Sequence, residues 1–472
     1  MRIRVLVLLA SLASVGDAWI GHAAEPDGTT ALMRAVLAAD AVETQRLIRG
    51  GADVKAANRY GVTALSLAAL NGHAAIVSAL VEAGADPDGA SSDGEPVLLT
   101  AARTGSAATV AVLLSHGADP NRRERWQSQT ALMWAAAENH ADVVSALLAH
   151  GADPNAASAY FQDWALSPSE PATPKVSVPK GAMTALQFAA RQGAMDAVRA
   201  LVASPKLYVD QADPDGVTAL TYAVVNGHYD VAMYLLEHGA DAAAVDNYGR
   251  GVLYAAIDMH RQELEPRPPV NTGDRTTALD VAELALVKGA DVDAQLYGRI
   301  PSRCTNGCNS LGIDGTTALW RAARSNDVDA IRLLLRHRAD IALAARDGST
   351  PFMVAAGQGW RDEHSVGTEQ ESIEILKALL DAGAVIDATN ASGETALHGA
   401  AQRGADMIVT FLVERGARLD VKDKAGRMPL QTAMGIGLIV RNGGGAPVDA
   451  PPRTSTAKLL RELMAARGIP GT

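Results

Sequence analysis

The tripeptide Gly-Ala-Asp recurs along this chain at a nearly constant spacing, and that spacing restricts the fold more than any other feature. The first four copies are separated by 33, 33 and 34 residues. In this register, copies begin at Gly51, Gly84, Gly117, Gly151, Gly239 and Gly289. A period of roughly 20 to 50 residues indicates a chain that stacks copies of one small unit, because no single unit can bury its apolar face alone.

The fourth copy shows the unit most clearly. A short helix is predicted from Thr130 to Glu138, then a break at Asn139, then a second helix from Asp142 to His150 that leads into the Gly-Ala-Asp-Pro turn. Alanines in the first helix allow a neighbouring backbone to come close, and the second helix carries its apolar residues on one face. Aromatic residues make up only 4% of the chain, so the core is expected to consist of Ala, Leu and Val.

The period and the opening of each unit resemble the ankyrin repeat, whose inner helix begins Thr-Pro-Leu-His and continues to two alanines. Here only the unit at Thr395 keeps the histidine, as His398, and only the unit at Thr350 keeps the proline. The Thr-Ala-Leu openings begin at Thr30, Thr63, Thr130, Thr184, Thr218, Thr317 and Thr395. The resemblance implies an all-α ankyrin-repeat solenoid of about eleven helix-turn-helix pairs, with β-turn or hairpin fingers between them.

We place the repeat array at residues 25–468, after a signal segment at residues 1–24. The eleven repeats span residues 27–57, 58–90, 91–123, 124–157, 183–212, 213–244, 246–295, 314–345, 346–389, 390–422 and 423–468. Five inserts interrupt the register, at residues 158–181, 261–276, 296–313, 361–371 and 437–456. Insertions between packed elements cost little loop-closure free energy, so they are tolerated even without a role.

The insert at residues 158–181 is unusually aromatic for this chain, with Tyr160, Phe161 and Trp164. By resemblance to ankyrin arrays, it extends a finger beside the inner helices. Two interpretations remain open, since such a finger either folds back on the stack or contacts a partner.

The insert at residues 296–313 holds the two cysteines of the chain, Cys304 and Cys308. In an exported protein the favoured interpretation is a local disulfide, ahead of two free thiols. A metal site is the weakest of the three, because two ligands cannot complete a tetrahedral shell.

The N-terminus resembles a secretory signal peptide. Arg2 and Arg4 precede an apolar run, and small residues follow up to Ala24, so cleavage is expected between Ala18 and Ala24. An uncleaved anchor is the alternative, but the apolar run is about half of the ~20 residues that a spanning helix needs. No membrane span is therefore expected after cleavage.

The sequence favours neither an enzyme nor a nucleic-acid-binding protein. It contains no phosphate-binding loop, dinucleotide fingerprint, zinc-protease motif or nucleophile elbow, and almost no chain remains outside the repeats. The formal net charge of −11 argues against a nucleic-acid partner. The histidines and the Gly-Ala-Asp aspartates recur at repeat positions, so we expect them to hydrogen-bond helix ends and turns rather than bind metal or act as catalysts. No cofactor is expected.

Residues at the turn tips and at the inner-helix ends are the candidates for contact with a partner, because in ankyrin arrays these positions line a concave surface. The candidates are Arg59, Tyr60, Arg103, Trp126, Gln127, Arg191, Asn247, Tyr248 and Arg324. Trp, Tyr and Arg often carry most of the energy of a protein interface. By contrast, Trp134, Phe188 and Tyr222 precede paired small residues and are expected in the core.

These features together predict an exported, monomeric, non-enzymatic solenoid that binds another protein in the periplasm or outside the cell. A secreted effector that acts on host proteins is one alternative, since its repeats would look the same. A periplasmic redox or stress accessory protein is another, and it would require a cofactor.

Overall fold

The computed structural model describes residues 27–161, 180–261, 273–297, 314–360, 365–436, 439–440, 448–449 and 451–470. The expected signal segment, Trp164, Cys304 and Cys308 lie outside the described residues.

The described residues form 22 helices in consecutive antiparallel pairs, which confirms the predicted all-α solenoid. The first, inner helices of the pairs are α1 (Ala31–Leu37), α3 (Ala64–Leu70), α5 (Val97–Thr104), α7 (Ala131–Ala137), α9 (Ala185–Gln192), α11 (Ala219–Val225), α13 (Val252–His260), α15 (Ala318–Arg324), α17 (Pro351–Ala356), α19 (Ala396–Arg403) and α21 (Pro429–Ala433). The second, outer helices are α2 (Ala41–Arg49), α4 (Ala74–Glu82), α6 (Ala107–Ser115), α8 (Ala141–Ala149), α10 (Met195–Val202), α12 (Tyr229–Glu237), α14 (Ala278–Val287), α16 (Val328–Arg336), α18 (Glu369–Asp381), α20 (Asp406–Glu414) and α22 (Thr454–Ala466).

The threonine of Thr-Ala-Leu is the N-cap residue of the inner helix. Thr63 Oγ1 accepts a hydrogen bond from the Ser66 N–H at 3.1 Å, and Ser66 Oγ accepts from the Thr63 N–H at 3.0 Å. Thr184 and Gln187 form the same reciprocal pair at α9. Each pair satisfies two N–H groups that the first helical turn leaves unbonded, which explains where these short helices begin.

Paired alanines in the inner helices let consecutive helices pack closely. Ala68 and Ala69 in α3, and Ala135 and Ala136 in α7, are completely buried. Nearly all of the buried apolar residues form one continuous cluster from Leu32 to Met464, as expected for a stack in which each repeat buries the face of the next. Trp320, Ala345 and Val354 form a small separate cluster.

The recurring polar residues have the structural roles expected of them. In the six Gly-Ala-Asp copies named above, the aspartate accepts a hydrogen bond from the backbone N–H two residues later, at 2.8 to 3.0 Å; these are Asp53, Asp86, Asp119, Asp153, Asp241 and Asp291. His116, His150 and His238 each place Nδ1 2.8 Å from the carbonyl oxygen four residues earlier. These contacts fix the turns and satisfy carbonyls at helix C-termini.

Two short hairpins stand at the bases of inserts. Strand β1 (Tyr160–Phe161) pairs antiparallel with β2 (Lys180–Gly181), and β3 (Ile439–Val440) pairs with β4 (Val448–Asp449).

Two inserts are shorter than predicted because the following helix starts inside them. Helix α18 begins at Glu369, within the predicted 361–371 insert, since Thr368 and Glu371 form a reciprocal cap. Helix α22 begins at Thr454, within the predicted 437–456 insert. No helix in the described ranges is long and apolar enough to cross a membrane.

Candidate functional site

The tip of the second repeat presents a cation–aromatic pair to solvent. The Arg59 guanidinium carbon lies 4.7 Å from the centre of the Tyr60 ring, and Arg59 Nη2 donates to the Tyr60 hydroxyl. Tyr60 is 55% exposed. The Arg59 N–H donates to the Asp27 carbonyl at 2.9 Å, and Ser92 Oγ donates to the Tyr60 carbonyl at 2.7 Å. The neighbouring tips therefore fix the backbone under this pair on both sides.

The tip of the fourth repeat is built by Glu124. Its carboxylate accepts hydrogen bonds from the backbone N–H groups of Trp126 at 2.5 Å, Gln127 at 2.6 Å and Gln129 at 3.0 Å. The Trp126 side chain, 76% exposed, projects from this turn. A large aromatic group on an ordered turn can bind with little further loss of backbone entropy.

At the tip of the seventh repeat, the candidate residues are bonded to neighbouring tips more than the sequence suggests. Asn247 Nδ2 donates to the Pro214 carbonyl at 2.9 Å, and the Asn247 N–H donates to the Asp215 carbonyl at 2.8 Å. Tyr248 is half-buried, which is the main cause of its raised pKa. Its carbonyl accepts from the N–H of Tyr297 at 2.6 Å, and Tyr297 itself is 67% exposed. Sequence analysis missed Tyr297, although it is the only aromatic residue in its insert.

Arginines at the inner-helix ends cover aromatic side chains. The Arg103 guanidinium carbon lies 5.5 Å from the Trp134 ring centre, and Arg103 Nη2 lies 3.0 Å from Glu95 Oε1. The Arg191 guanidinium carbon lies 5.2 Å from the Phe188 ring centre. Cation–π contacts of this kind contribute roughly 0.5 to 1 kcal/mol at exposed sites.

The expectation that Trp134, Phe188 and Tyr222 are core residues holds in full for Tyr222 and in part for the other two. Only Tyr222 is buried, and its hydroxyl donates to Asp213 Oδ2 at 2.6 Å. Trp134 and Phe188 are half-buried: each packs against the hydrophobic core, and a guanidinium group lies over its ring.

Farther along, the inner-helix ends are occupied by contacts within the chain. Arg324 Nη1 donates to the carbonyls of Gln358, at 3.2 Å, and Gly359, at 2.5 Å. The guanidinium carbon of Arg403 lies 3.5 Å from the centre of the Trp360 ring. Arg324 therefore joins α15 to the turn after α17, which makes it a poorer contact candidate than the sequence suggests.

Two polar pairs cross the junction between the α13–α14 pair and the α15–α16 pair. Arg321 Nε donates to Asp258 Oδ1 at 2.5 Å, and the arginine side chain is only 2% exposed. His260 Nδ1 lies 2.5 Å from Asp327 Oδ2, and this hydrogen bond is the main cause of the raised pKa of His260. Arg321 stands at the repeat position held by Leu67, Trp134, Phe188 and Tyr222 in α3, α7, α9 and α11, so a charged residue there in an internal repeat was the available sequence signal; only the terminal helix α1 also has one, Arg34.

The outer helices at this junction are joined by Glu283. Its carboxylate lies 3.1 Å from both Arg336 Nη2 and His337 Nε2. The hydrogen bond from His337 is the largest cause of the lowered pKa of Glu283. Among consecutive outer helices of the described chain, α14 and α16 approach each other least closely.

The concave surface therefore has two unlike halves. Between α1 and α11, Leu37 and Leu70 are exposed, and Trp134 and Phe188 are half-buried. Between α13 and α19, Arg321, Arg324 and Arg403 are engaged by a carboxylate, a backbone carbonyl and an aromatic ring of the same chain. In the part of the chain that the structure describes, no group of three or more His, Cys, Asp or Glu residues is placed to hold a metal ion.

Comparison with known proteins identifies the family. A family model described as ankyrin repeats, three copies, matches residues 6–91, 85–158, 166–246, 186–264, 276–363 and 364–440. The chain belongs to the ankyrin repeat family. Arrays of this family generally serve as non-enzymatic modules for protein–protein interaction.

Similar proteins include ankyrin repeat and KH domain-containing protein mask of Drosophila melanogaster, 36% identical over 116 residues, or 24% of this chain and 3% of that protein. The B-cell lymphoma 3 protein homolog of Mus musculus is 28% identical over 176 residues, 36% of this chain and 32% of that protein. The E3 ubiquitin-protein ligase KEG of Arabidopsis thaliana is 23% identical over 301 residues, 55% of this chain and 18% of that protein. This ankyrin array thus spans a third or less of each of these relatives.

Proposed function

We propose that this ankyrin array is a non-enzymatic scaffold that binds a protein partner on the concave surface of its first six repeats. The observation that carries the proposal is the exposure of Tyr60 and Trp126 at the tips of ordered turns. Aromatic residues and arginines on a pre-organised surface match the composition of the residues that dominate binding energy at protein interfaces.

The contrast between the two halves of the array supports this location. Apolar and aromatic side chains at the ends of α1, α3, α7 and α9 remain accessible, whereas Arg321, Arg324 and Arg403 in the later repeats contact groups of the same chain. A partner gains more from covering accessible apolar area than from displacing existing ion pairs. The inner-helix candidates Arg103 and Arg191 would then border the apolar contacts.

Affinity capture tests the proposal. The purified protein would be immobilised and exposed to an envelope extract, and the bound proteins quantified for the wild type and a Tyr60→Ala, Trp126→Ala variant. Tyr208→Ala is the matched control, since Tyr208 is 72% exposed but lies on an outer-edge turn. We expect the double variant to lose at least about tenfold in partner yield. Retention of the same partners at wild-type yield would overturn the proposal.

We also propose that the protein is exported to the periplasm or out of the cell. Arg2, Arg4 and the apolar run that follows them support export, because they resemble a signal peptide. Fractionation of cells that express the full chain, with N-terminal sequencing of the product, tests it. A mature N-terminus between residues 19 and 25 is expected; a cytoplasmic product that begins at Met1 would refute export. Light scattering of the same product tests the proposed monomer.

A further inference from the structure

The tips of the second, third and fourth repeats carry an alternating set of charges. We call the line formed by Arg59 and Tyr60, then Ser92 and Asp93, then Arg125 and Trp126 the tip ridge. Arg59, Tyr60, Asp93, Arg125 and Trp126 are all exposed. Along the ridge, the order of charge is therefore positive, negative, positive.

The three tips touch one another, so the ridge is a continuous surface. A Cβ atom on Gly61 would come within 2.6 Å of the Ser92 Cβ, and one on Gly94 would come within 2.9 Å of the Arg125 Cβ. Both glycines have positive φ values, of 75° and 81°. Glycine at these two positions allows each tip to lie directly against the next.

The nearby carboxylates are engaged by groups of the chain. Glu124 accepts three backbone N–H groups of its own turn, and Glu95 is paired with Arg103 at 3.0 Å. Asp27, beside Arg59, accepts from the N–H and the hydroxyl of Thr29 at 2.9 and 3.0 Å. Within the described residues, the side chain of Arg125 forms no ion pair or hydrogen bond, and the same is true of Asp93. The charges at the third and fourth tips are thus available to a ligand.

The spacing of the tips limits the ligand that can meet all three charges. Consecutive repeats stack at the separation of packed helices, about 8 to 10 Å. In a polyproline II segment, side chains three residues apart point in the same direction and are separated by about 9 Å, because this helix has three residues per turn and rises about 3.1 Å per residue. Residues i, i+3 and i+6 of such a segment therefore match the three tips.

We infer that the partner docks on the tip ridge through an extended, polyproline II-like segment with an acidic residue, a basic residue and an acidic residue at positions i, i+3 and i+6. Its carboxylates would pair with Arg59 and Arg125, and its central cation with Asp93. Tyr60 and Trp126 would pack against the intervening residues, since aromatic grooves recognise this conformation. The charge order is the same in both chain directions. The inference rests on the proposed function and names the chemistry of its partner.

The test uses synthetic peptides and the purified protein. A fluorescein-labelled peptide that contains Glu-Pro-Pro-Lys-Pro-Pro-Glu is compared with its isomer Lys-Pro-Pro-Glu-Pro-Pro-Glu by fluorescence anisotropy. We expect the first to bind at least about tenfold more tightly, although the two have the same composition and net charge. Equal affinities, or no binding of either peptide at millimolar concentration, would overturn the inference. Binding of anionic phospholipid vesicles as tight as that of the first peptide would also overturn it, because it would indicate a general attraction to anions.

Variants test each charge separately. Arg125→Gln and Arg59→Gln are each expected to weaken binding of the ordered peptide about threefold to fivefold. Lys424→Gln, which removes an exposed cation from the tip of the last repeat, is the control and should leave binding unchanged. Asp93→Lys should weaken this peptide and favour one with Glu at the central position. Failure of that exchange would contradict the assignment of Asp93, and circular dichroism would confirm that each variant folds.

This test separates the inference from the proposed function. If the Tyr60→Ala, Trp126→Ala variant loses its captured partners but the two peptides bind equally, the scaffold proposal stands and the inferred ligand is wrong. If the partners persist in that variant, the scaffold proposal itself is wrong.

Discussion

The junction between the α13–α14 and α15–α16 pairs is where we expect the solenoid to break first. In a repeat array, stability is approximately the sum of repeat terms and nearest-neighbour interface terms, so one weakened interface can uncouple the two sides. Here the outer helices α14 and α16 approach least closely among the described outer neighbours. The inner helices are bridged by Asp258 and Arg321, 63 residues apart in the sequence.

Asp258→Ala is the perturbation that tests this expectation. Removal of one member of a buried ion pair costs about 3 to 5 kcal/mol when both groups are fully buried. The Arg321 side chain is 2% exposed, but that of Asp258 is 25% exposed. Because water reaches the carboxylate, we expect a loss of about 2 to 3 kcal/mol in interface free energy.

Urea unfolding followed by hydrogen exchange and mass spectrometry measures where this loss falls. The wild type should unfold in one transition, or in closely spaced ones. In Asp258→Ala, unfolding should divide into two separate transitions. Amides in α15 and α17 should then lose protection from exchange while those in α3 to α9 keep it. Asp329→Ala is the control, because its partner Arg332 and Asp329 are both exposed and such pairs contribute less than about 1 kcal/mol.

A uniform loss of protection along the chain would refute this reasoning, as would an effect no larger than that of Asp329→Ala. A second variant isolates the cause. In Asp258→Leu, Arg321→Met, no charge remains to be buried, so we expect much of the stability to return. If the double variant is as unstable as the single one, the packing and not the ion pair holds the junction.

Three further predictions concern single sites. The pKa of His260 is raised by its bond to Asp327, so its contribution to stability is fully present below the unfolded value of about 6.5 and is lost as pH rises through the folded pKa. The unfolding free energy of the wild type should therefore fall relative to that of His260→Gln between pH 6 and pH 9, and parallel pH profiles would contradict this. Arg338 has a φ of 64°, in the region that favours glycine, so Arg338→Gly should raise the urea midpoint by an amount equivalent to about 0.5 to 1 kcal/mol. Thr63→Ala removes the cap of α3 and should cost about 1 kcal/mol, whereas Thr63→Ser should cost much less.

Local rules were sufficient to predict most of the fold. The period, the helix pairs and the histidine bonds at helix C-termini were predicted, and like the threonine caps that the structure adds they depend on contacts within a few residues. Thr63 and Ser66, for example, are three residues apart, and His116 bonds a carbonyl four residues back. Such contacts repeat with the sequence period, so a single unit predicts the others.

The site was harder to predict because its state depends on neighbouring repeats. The availability of Asn247 is decided by Pro214, 33 residues earlier, and that of Arg324 by Gln358, 34 residues later. The burial of Trp134 depends on Arg103 in the preceding repeat. Residue type suggested that each was a contact candidate, but it could not show which side chains were already engaged within the chain.

The two halves of the array suggest a division of physical roles within one fold. In the later repeats, Arg321 and Arg403 are buried and contact groups of the same chain, which stiffens the stack but leaves less apolar area for a ligand. In the earlier repeats, Arg103 and Arg191 lie over aromatic rings at the surface, and the tips expose Tyr60 and Trp126. Arg324 shows how neighbours change the role of one repeat position: it is equivalent to Arg103 and Arg191, but it donates to the Gly359 carbonyl of the next repeat. A pair of single substitutions tests this division. Arg321→Thr should lower the stability of the junction and leave peptide binding unchanged, whereas Trp126→Ala should weaken peptide binding and leave the stability of the junction unchanged.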